Sequence, residues 1–101
     1  MNDLRFEWDD NKNRLNHAKH GITFEEARSV FWDDGALLID DPEHSEEEER
    51  FIILGLSYKA NLLVVCHCCR ASDTVIRIIS ARKAVSSEIR FYEEENHAGR
   101  I

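Results

Sequence analysis

Three apolar runs separated by short polar breaks constrain the fold of this chain more than any other feature. They are residues 51–56, 62–69 and 75–81, and their wealth of Ile, Val and Leu is typical of strands. The breaks, residues 57–61 and 70–74, have the length of hairpin connections. The three strands are therefore expected to pair antiparallel, as the centre of a small sheet.

The rest of the chain predicts three helices and two further strands. Asp9 or Asp10 caps a helix that ends at Gly21, because glycine adopts a left-handed cap freely. Thr23 and Glu26 have the S/T-x-x-E spacing of a capping box, so a second helix begins there and ends before the break at residues 33–35. The two further strands are expected at residues 6–8 and 36–39. The first helix is expected at residues 11–20 and the last at residues 84–96. The tail, residues 97–101, is expected to fray.

This order of elements predicts the fold class. A strand, two helices, four strands and a helix make an α+β domain with a small antiparallel sheet, and 101 residues make one domain, residues 1–101. The helices are expected largely on one face of the sheet, which leaves the other face partly open for a ligand. No apolar stretch approaches the ~20 residues of a membrane span, and the acidic start does not resemble a signal peptide, so a cytoplasmic location is expected.

Charge is distributed unevenly along the chain. The net charge of −7 argues against a nucleic-acid partner, but the acidic residues concentrate in residues 1–49, with 15 acidic and 5 basic side chains. Residues 50–90 carry 7 basic and 2 acidic side chains. An acidic body with one basic sheet is consistent with a local anion site. The alternative is that each arginine pairs with a carboxylate of the protein itself.

The run Cys66-His67-Cys68-Cys69 invites a zinc interpretation. Strand alternation places Cys66 and Cys68 on one face and His67 and Cys69 on the other, so the four side chains cannot close a tetrahedral site. The cysteines are more simply interpreted as small buried hydrophobic residues of a protein in a reducing compartment. Neither a metal nor another cofactor is expected.

Two histidines, His17 and His20, lie one turn apart on the first predicted helix. Such a pair can ligate a metal. A histidine directly before the terminating Gly21 more often interacts with the last carbonyl groups and the helix dipole, and that interpretation is favoured.

Arginines of the central stretch are the strongest candidates for a functional site. Arg77 lies mid-strand between isoleucines and needs a partner there, either a carboxylate or an external anion. Arg70 and Arg82 lie near the ends of their strands and are expected to be close in space if the hairpin forms. The planar guanidinium suits phosphate because it binds two oxygens at once. Glu88 is the carboxylate of the protein itself that would compete with an external anion for Arg82 or Arg77.

A series of short motifs in fixed order resembles the BrnT-like toxins of type II toxin–antitoxin systems. The resemblance covers roughly residues 5–92. It rests on Phe6-Glu7-Trp8-Asp9, Lys12, Asn16, Lys19-His20-Gly21-Ile22, Phe24, Glu26-Ala27, Asp41-Pro42, Glu49-Arg50, His67-x-x-Arg70, Ile76-Arg77-Ile78-Ile79-Ser80-Ala81-Arg82, Glu88 and Tyr92.

The resemblance implies a RelE-like ribonuclease fold, a small antiparallel sheet with helices. It also implies a ribbon-helix-helix antitoxin, most simply in a 2:2 complex. The toxin would then contact operator DNA only through this antitoxin. The sequence departs from the family pattern at Cys69, where an aromatic residue is expected before the arginine. An aromatic residue there would be able to stack on a base.

These observations together predict a metal-independent endoribonuclease. Attack of a ribose 2′-hydroxyl on its own 3′-phosphate needs cations, a base and an acid. Arg70, Arg77 and Arg82 are expected to stabilise the developing charge. His67 is the candidate acid or base, although it has the opposite strand parity to Arg70. Two alternatives remain for Glu88: it is the base in place of His67, or it only orients an arginine.

Flanking RNA contacts are assigned to Arg50 and Lys83, which would hold neighbouring phosphates, and to Tyr92. The rival hypothesis is a non-catalytic module that only binds its antitoxin and modulates operon repression. The residue at position 69 and the acidic body favour that alternative. A metabolic enzyme is not supported, because the sequence has no nucleotide-binding loop, nucleophile motif or metal-ligand set.

Overall fold

The computed structural model describes residues 4–40, 50–70 and 74–98. They form an α+β domain of five strands, three α-helices and one 3₁₀ helix. In chain order the elements are β1 (Arg5–Glu7), α1 (Asp10–His20), α2 (Phe24–Arg28), the 3₁₀ helix (Ser29–Trp32), β2 (Leu37–Asp40), β3 (Arg50–Leu56), β4 (Leu62–Arg70), β5 (Val75–Lys83) and α3 (Ser86–Ala98).

The sheet is mixed, and the expectation of a largely antiparallel sheet holds for all the described strand pairs except that of β1 with β5. Its order is β1-β5-β4-β3-β2. Strands β2 to β5 pair antiparallel in chain order, and the two hairpins β3–β4 and β4–β5 are the ones that the short breaks predict. β1 pairs parallel with β5, with Phe6 opposite Ile76. The pairing joins residues far apart in the sequence, so no local turn specified its direction.

The first helix begins and ends as the sequence predicts. The Asp9 side chain accepts hydrogen bonds from the backbone N–H groups of Asn11 and Lys12, at 2.8 and 3.1 Å, and these bonds lower the pKa of Asp9. At the other end Gly21 has a φ of 75°, and its N–H donates to the carbonyl of His17. Asp9 is therefore the N-cap, and Gly21 is the left-handed residue that stops the helix.

The predicted capping box of the second helix forms only in part. The Thr23 hydroxyl accepts from the N–H of Glu26 at 3.1 Å. The buried carboxylate of Glu26 turns inward, where it accepts from the Ser57 hydroxyl at 2.7 Å and the Asn61 amide at 2.8 Å. Glu26 thereby ties α2 to the turn between β3 and β4.

One face of the sheet is covered by α1, α2 and the 3₁₀ helix, and their apolar residues bury the core there. The core consists of Ile22, Phe24, Ala27, Val30, Ile53, Leu63, Val65, Ile76, Ile78 and Ala81. We call this the helix-covered face.

The last helix packs on the opposite face, so the helices are not all on one side of the sheet. Its residues Glu88 and Phe91 line a small apolar cavity with Leu54 and Val64, which are both buried. The helix continues through Ala98, beyond the end predicted for it. The glutamate-rich residues 45–49 and the breaks at 41–42 and 71–73 lie outside the described residues. None of the helices described is long and apolar enough to cross a membrane.

Candidate functional site

A β-bulge in the last strand creates the candidate site. Cys66 of β4 lies opposite Ser80, while the next residue, His67, lies opposite Ile78. Ile79 is therefore an extra residue on β5, and a bulge of this kind changes which side the following residues face. On a regular strand, Arg77 and Arg82 would point to opposite faces because they are five positions apart. The bulge places both on the same face.

This surface, which we call the arginine face, lies opposite the helix-covered face. Register places four arginines on it from three adjacent strands. Arg77 and Arg82 lie opposite Cys68 and Val64 of β4, and Arg50 of β3 lies opposite Cys68 from the other side. Alternation along β4 from Cys68 adds Arg70. The basic residues of the central stretch are thus brought together by the sheet.

The first group on the arginine face is centred on Glu7 of β1. Its Oε2 accepts from the Nη1 atoms of both Arg70 and Arg77, at 3.1 Å each. The Arg77 side chain is still 34% exposed. Arg77 is therefore an ion-pair member that also borders the open surface. Glu7 is a member of this site that reasoning about charge did not single out, because β1 is far from β5 in the sequence.

Arg82 and Glu88 form the second group through a two-pronged ion pair. Nη1 and Nη2 of Arg82 donate to Oε1 and Oε2 of Glu88, each at 2.9 Å. Glu88 also accepts from the N–H of Val85 at 2.8 Å. The hydrogen bonds from Arg82 lower the pKa of Glu88, and the same contact raises the pKa of Arg82. The predicted competition for Arg82 is thus realised.

Arg70 and Arg82 are not close in space, contrary to expectation. Arg70 lies opposite Val75, near the turn, whereas Arg82 lies opposite Val64 at the other end of the hairpin. Even Arg77 and Arg82 face β4 positions four residues apart, which is roughly 13 Å along a strand. The two groups are therefore separate positions on the arginine face.

A cleft of about 520 Å³ opens beside the bulge. Four of its lining side chains are basic, and they come from α1, β3 and β5. The polar and thiol lining consists of Lys19, His20, Arg50, Cys66, Ser80 and Arg82. We call it the basic cleft. Neither Lys19 nor His20 was a predicted site residue. The sequence placed them at the end of a helix, but only the packing of α1 against β5 brings them to the sheet.

Asn16 of α1 holds the strand next to the bulge. Its amide donates to the carbonyl of Ala81 at 2.8 Å and accepts from the N–H of Ala81 at 3.1 Å. A further bond reaches the carbonyl of Ile22 at 2.9 Å. β1 pairs only with Val75 to Arg77, so Asn16 supplies to Ala81 the two hydrogen bonds that a neighbouring strand would supply.

His67 lies on the wrong face for its predicted role. It is only 2% exposed, opposite Ile78, and its ring packs edge-on against Phe31 with centroids 4.9 Å apart. Burial lowers its pKa, against a weaker opposing effect of the Val65 carbonyl. β4 continues through Arg70, so the opposite parity of His67 and Arg70 persists. His67 is a core residue here and is left out of the site.

Two other predicted RNA contacts are also placed away from the basic cleft. Lys83 is exposed but lies opposite Leu63, on the side of the strand away from Arg82. The Tyr92 hydroxyl donates to Asp33 Oδ2 at 2.7 Å. Burial raises the pKa of Asp33, but hydrogen bonds from the Leu56 N–H, the Tyr92 hydroxyl and the Gly35 N–H outweigh it and lower the pKa overall. Tyr92 thus anchors α3 to the loop before β2.

The cysteines alternate across the sheet. Cys66 and Cys68 lie on the arginine face, whereas Cys69, opposite Ile76, lies on the helix-covered face. An aromatic side chain at position 69 would point toward the helices, so it would not stack on a base bound to the arginine face. Among residues 4–40, 50–70 and 74–98, no three His, Cys, Asp or Glu side chains gather as a metal site.

A mixed five-stranded sheet whose arginine-rich face borders a basic cleft defines a small α+β protein with one cationic surface. Its fold is similar to a solved structure, the Brucella abortus ribonuclease toxin BrnT, with a TM-score of 0.62, 21% sequence identity, and coverage of 82% of this chain and 99% of that chain. No curated protein matches significantly.

A family model described as the ribonuclease toxin BrnT of type II toxin–antitoxin systems matches residues 8–88. The chain therefore belongs to the BrnT family of ribonuclease toxins. The matched range includes Arg50, Arg70, Arg77, Arg82 and Glu88.

Proposed function

We propose that this toxin is a metal-independent endoribonuclease that cuts cellular RNA by transesterification and so inhibits translation. The 2′-hydroxyl of a ribose attacks the adjacent 3′-phosphate, which leaves a 2′,3′-cyclic phosphate and a free 5′-hydroxyl. The observation that carries the proposal is the β5 bulge, because it aligns Arg77 and Arg82 on one face beside the basic cleft.

The arginines divide the work by position. Arg82 and Arg50 line the basic cleft and bind the reacting phosphate, whose charge grows in the transition state. Arg70 and Arg77, held together by Glu7, bind a neighbouring phosphate of the same strand. Lys83 is a peripheral contact at the strand end, and Tyr92 serves the structure more than the RNA.

Glu88 orients Arg82 in this proposal and is not the base. A carboxylate whose pKa is lowered by two hydrogen bonds from a guanidinium accepts a proton poorly at neutral pH. The same two bonds fix the guanidinium plane, which reduces the ordering required when phosphate binds.

Metal independence rests on the arrangement of the donors. The Cys and His side chains of residues 66–69 divide between two faces of a strand, and the cationic charge that a metal would bring is supplied by guanidinium groups.

A type II toxin implies an antitoxin partner, and we propose that this partner is a ribbon-helix-helix protein, in a 2:2 complex. Operator DNA is then bound through the antitoxin, and the complex is cytoplasmic. An acidic segment of the antitoxin would complement the arginine face by charge.

A second candidate function is a binding module without catalysis. One observation favours it: Arg70, Arg77 and Arg82 already have carboxylate partners in the protein. In that case the arginine face is an ion-paired scaffold, and the chain acts only by binding its antitoxin.

The test is purified toxin incubated with RNA in EDTA, together with induction of the toxin alone in cells. We expect cleavage that leaves 2′,3′-cyclic phosphate ends, unchanged by EDTA, and arrest of growth. Normal growth at verified soluble expression, with intact RNA in vitro, would favour the binding module. Stoichiometric zinc whose chelation unfolds the protein would overturn metal independence.

A further inference from the structure

We propose that His20 is the general base of the reaction, an assignment that rests on the proposed ribonuclease function. His20 is the last residue of α1 and lines the basic cleft with Arg50 and Arg82. A base for the 2′-hydroxyl must lie beside the group that binds the adjacent phosphate. The imidazole of His20 shares the cleft with both arginines.

The backbone at His20 is fixed by the end of its helix. Gly21 stops α1 in the left-handed conformation, and its N–H donates to the carbonyl of His17 at 2.8 Å. One turn earlier, the amide of Asn16 is bonded to Ala81 of β5. The helix end is thus attached to the strand that carries Arg82, and His20 and Arg82 keep a defined relation across the cleft.

Three other candidate bases are less suitable. His67 is buried on the opposite face. Glu88 is engaged by Arg82, which lowers the pKa of Glu88. Ser80 also lines the cleft, but a hydroxyl is a poor base at neutral pH. Histidine is the side chain that most readily exchanges a proton near neutral pH.

Charged and titratable groups face His20 from each element around the cleft. Lys19 comes from α1, Arg50 from β3, Cys66 from β4, and Arg82, with its partner Glu88, from β5 and α3. The cationic groups stabilise the phosphorane and leave His20 to take the proton.

The proposed step balances without a further reactant. The imidazole nitrogen of His20 takes the 2′-hydroxyl proton as the O2′–P bond forms. The P–O5′ bond breaks, and the 5′-oxygen takes a proton from water. The imidazolium then returns its proton to the solvent, so the net change is transesterification of one phosphodiester.

The experiment compares His20→Ala with His17→Ala. His17 lies one turn earlier on the same helix, is exposed, and does not line the cleft. Cleavage of a defined RNA oligonucleotide is measured from pH 5 to 9, with melting temperatures for each variant and with free imidazole added back. We expect His20→Ala to lose about 100-fold or more in kcat, with KM little changed and the same melting temperature.

Two further readouts separate catalysis from structure. Imidazole should restore part of the His20→Ala rate, and the pH dependence near neutrality should flatten in that variant. His17→Ala should match the wild type throughout. Wild-type kcat and pH profile in His20→Ala would overturn this inference alone, as would a loss that imidazole does not restore. Wild-type toxin without ribonuclease activity would overturn the proposed function together with it.

Discussion

Arg77 and Arg82 share a strand and a face but are held differently. Arg82 makes a two-pronged pair with Glu88 at the border of the cleft, whereas Arg77 shares Glu7 with Arg70. Charge alone does not distinguish their roles. Replacing each arginine by alanine should distinguish the two roles.

We expect Arg82→Ala to abolish toxicity and RNA cleavage while the protein stays folded. The side chains of Arg82 and Glu88 are 42% and 29% exposed, so their ion pair stabilises the fold little. Arg77→Ala should lose activity with some loss of stability, since Glu7 keeps only one arginine partner. Growth after induction and thermal melts measure the two effects. A fully toxic, well expressed Arg82→Ala would show that function lies on another surface.

Stability should depend on pH through Glu88. Its pKa is lowered in the folded protein from 4.5, so the pair with Arg82 stabilises the fold fully above that value. The contribution is lost as pH falls through the lowered pKa of the folded state. We expect Glu88→Gln to cost about 1 kcal/mol or less at pH 7, and this difference should vanish at acidic pH. Urea melts at pH 7 and pH 3 provide the measurement, and an equal difference at both would contradict it.

At the scale of elements, the bulge in β5 decides the site, and α1 holds it. Asn16 bonds to Ala81, immediately before Arg82. The helix thereby replaces the missing continuation of β1 along the strand edge. Irregular strands next to functional sites are common because they redirect a side chain.

We expect Asn16→Ala to lose RNA cleavage and about 1–3 kcal/mol of stability, because the buried N–H and carbonyl of Ala81 lose their partners. Asn13→Ala is the matched control. Asn13 lies on the same helix and accepts a bond at 2.8 Å from the N–H of Phe24, which belongs to α2 and not to β5. It should cost about 1 kcal/mol and leave cleavage intact. Amide exchange at Ala81 should accelerate only in Asn16→Ala; unchanged exchange there would refute the role given to Asn16.

For the whole molecule, the notable property is a basic face on a chain of net charge −7. Such a distribution favours partners that approach one surface, RNA or an acidic protein segment, and opposes nonspecific attachment elsewhere. Under the proposed function, RNA and the antitoxin compete for the same arginines.

Co-expression with the proposed ribbon-helix-helix antitoxin should yield a stable complex of two toxins on one antitoxin dimer. The complex should not cleave RNA, because the arginine face is occupied. Size-exclusion chromatography with light scattering gives the stoichiometry, and the cleavage assay gives the inhibition. Free toxin at micromolar concentration of both proteins would contradict the partner assignment.

The sequence by itself determined most of the elements. Apolar runs with short breaks predicted the antiparallel pairing of β3 to β5, and Asp9, Thr23 and Gly21 predicted the start and stop of helices, because these effects act within a few residues. The order of motifs indicated the family that the family model establishes. The arginines, too, were visible as the basic part of an acidic chain.

Tertiary structure decided which residues of these elements lie together at the site. The parallel pairing of β1 brought Glu7 to Arg77, and the extra residue at Ile79 turned Arg82 to the face of Arg77. The docking of α1 brought His20 to the cleft. Each depends on contacts between residues distant in sequence, where one shifted register reverses which face a side chain occupies. Periodicity read along a single strand does not carry that information.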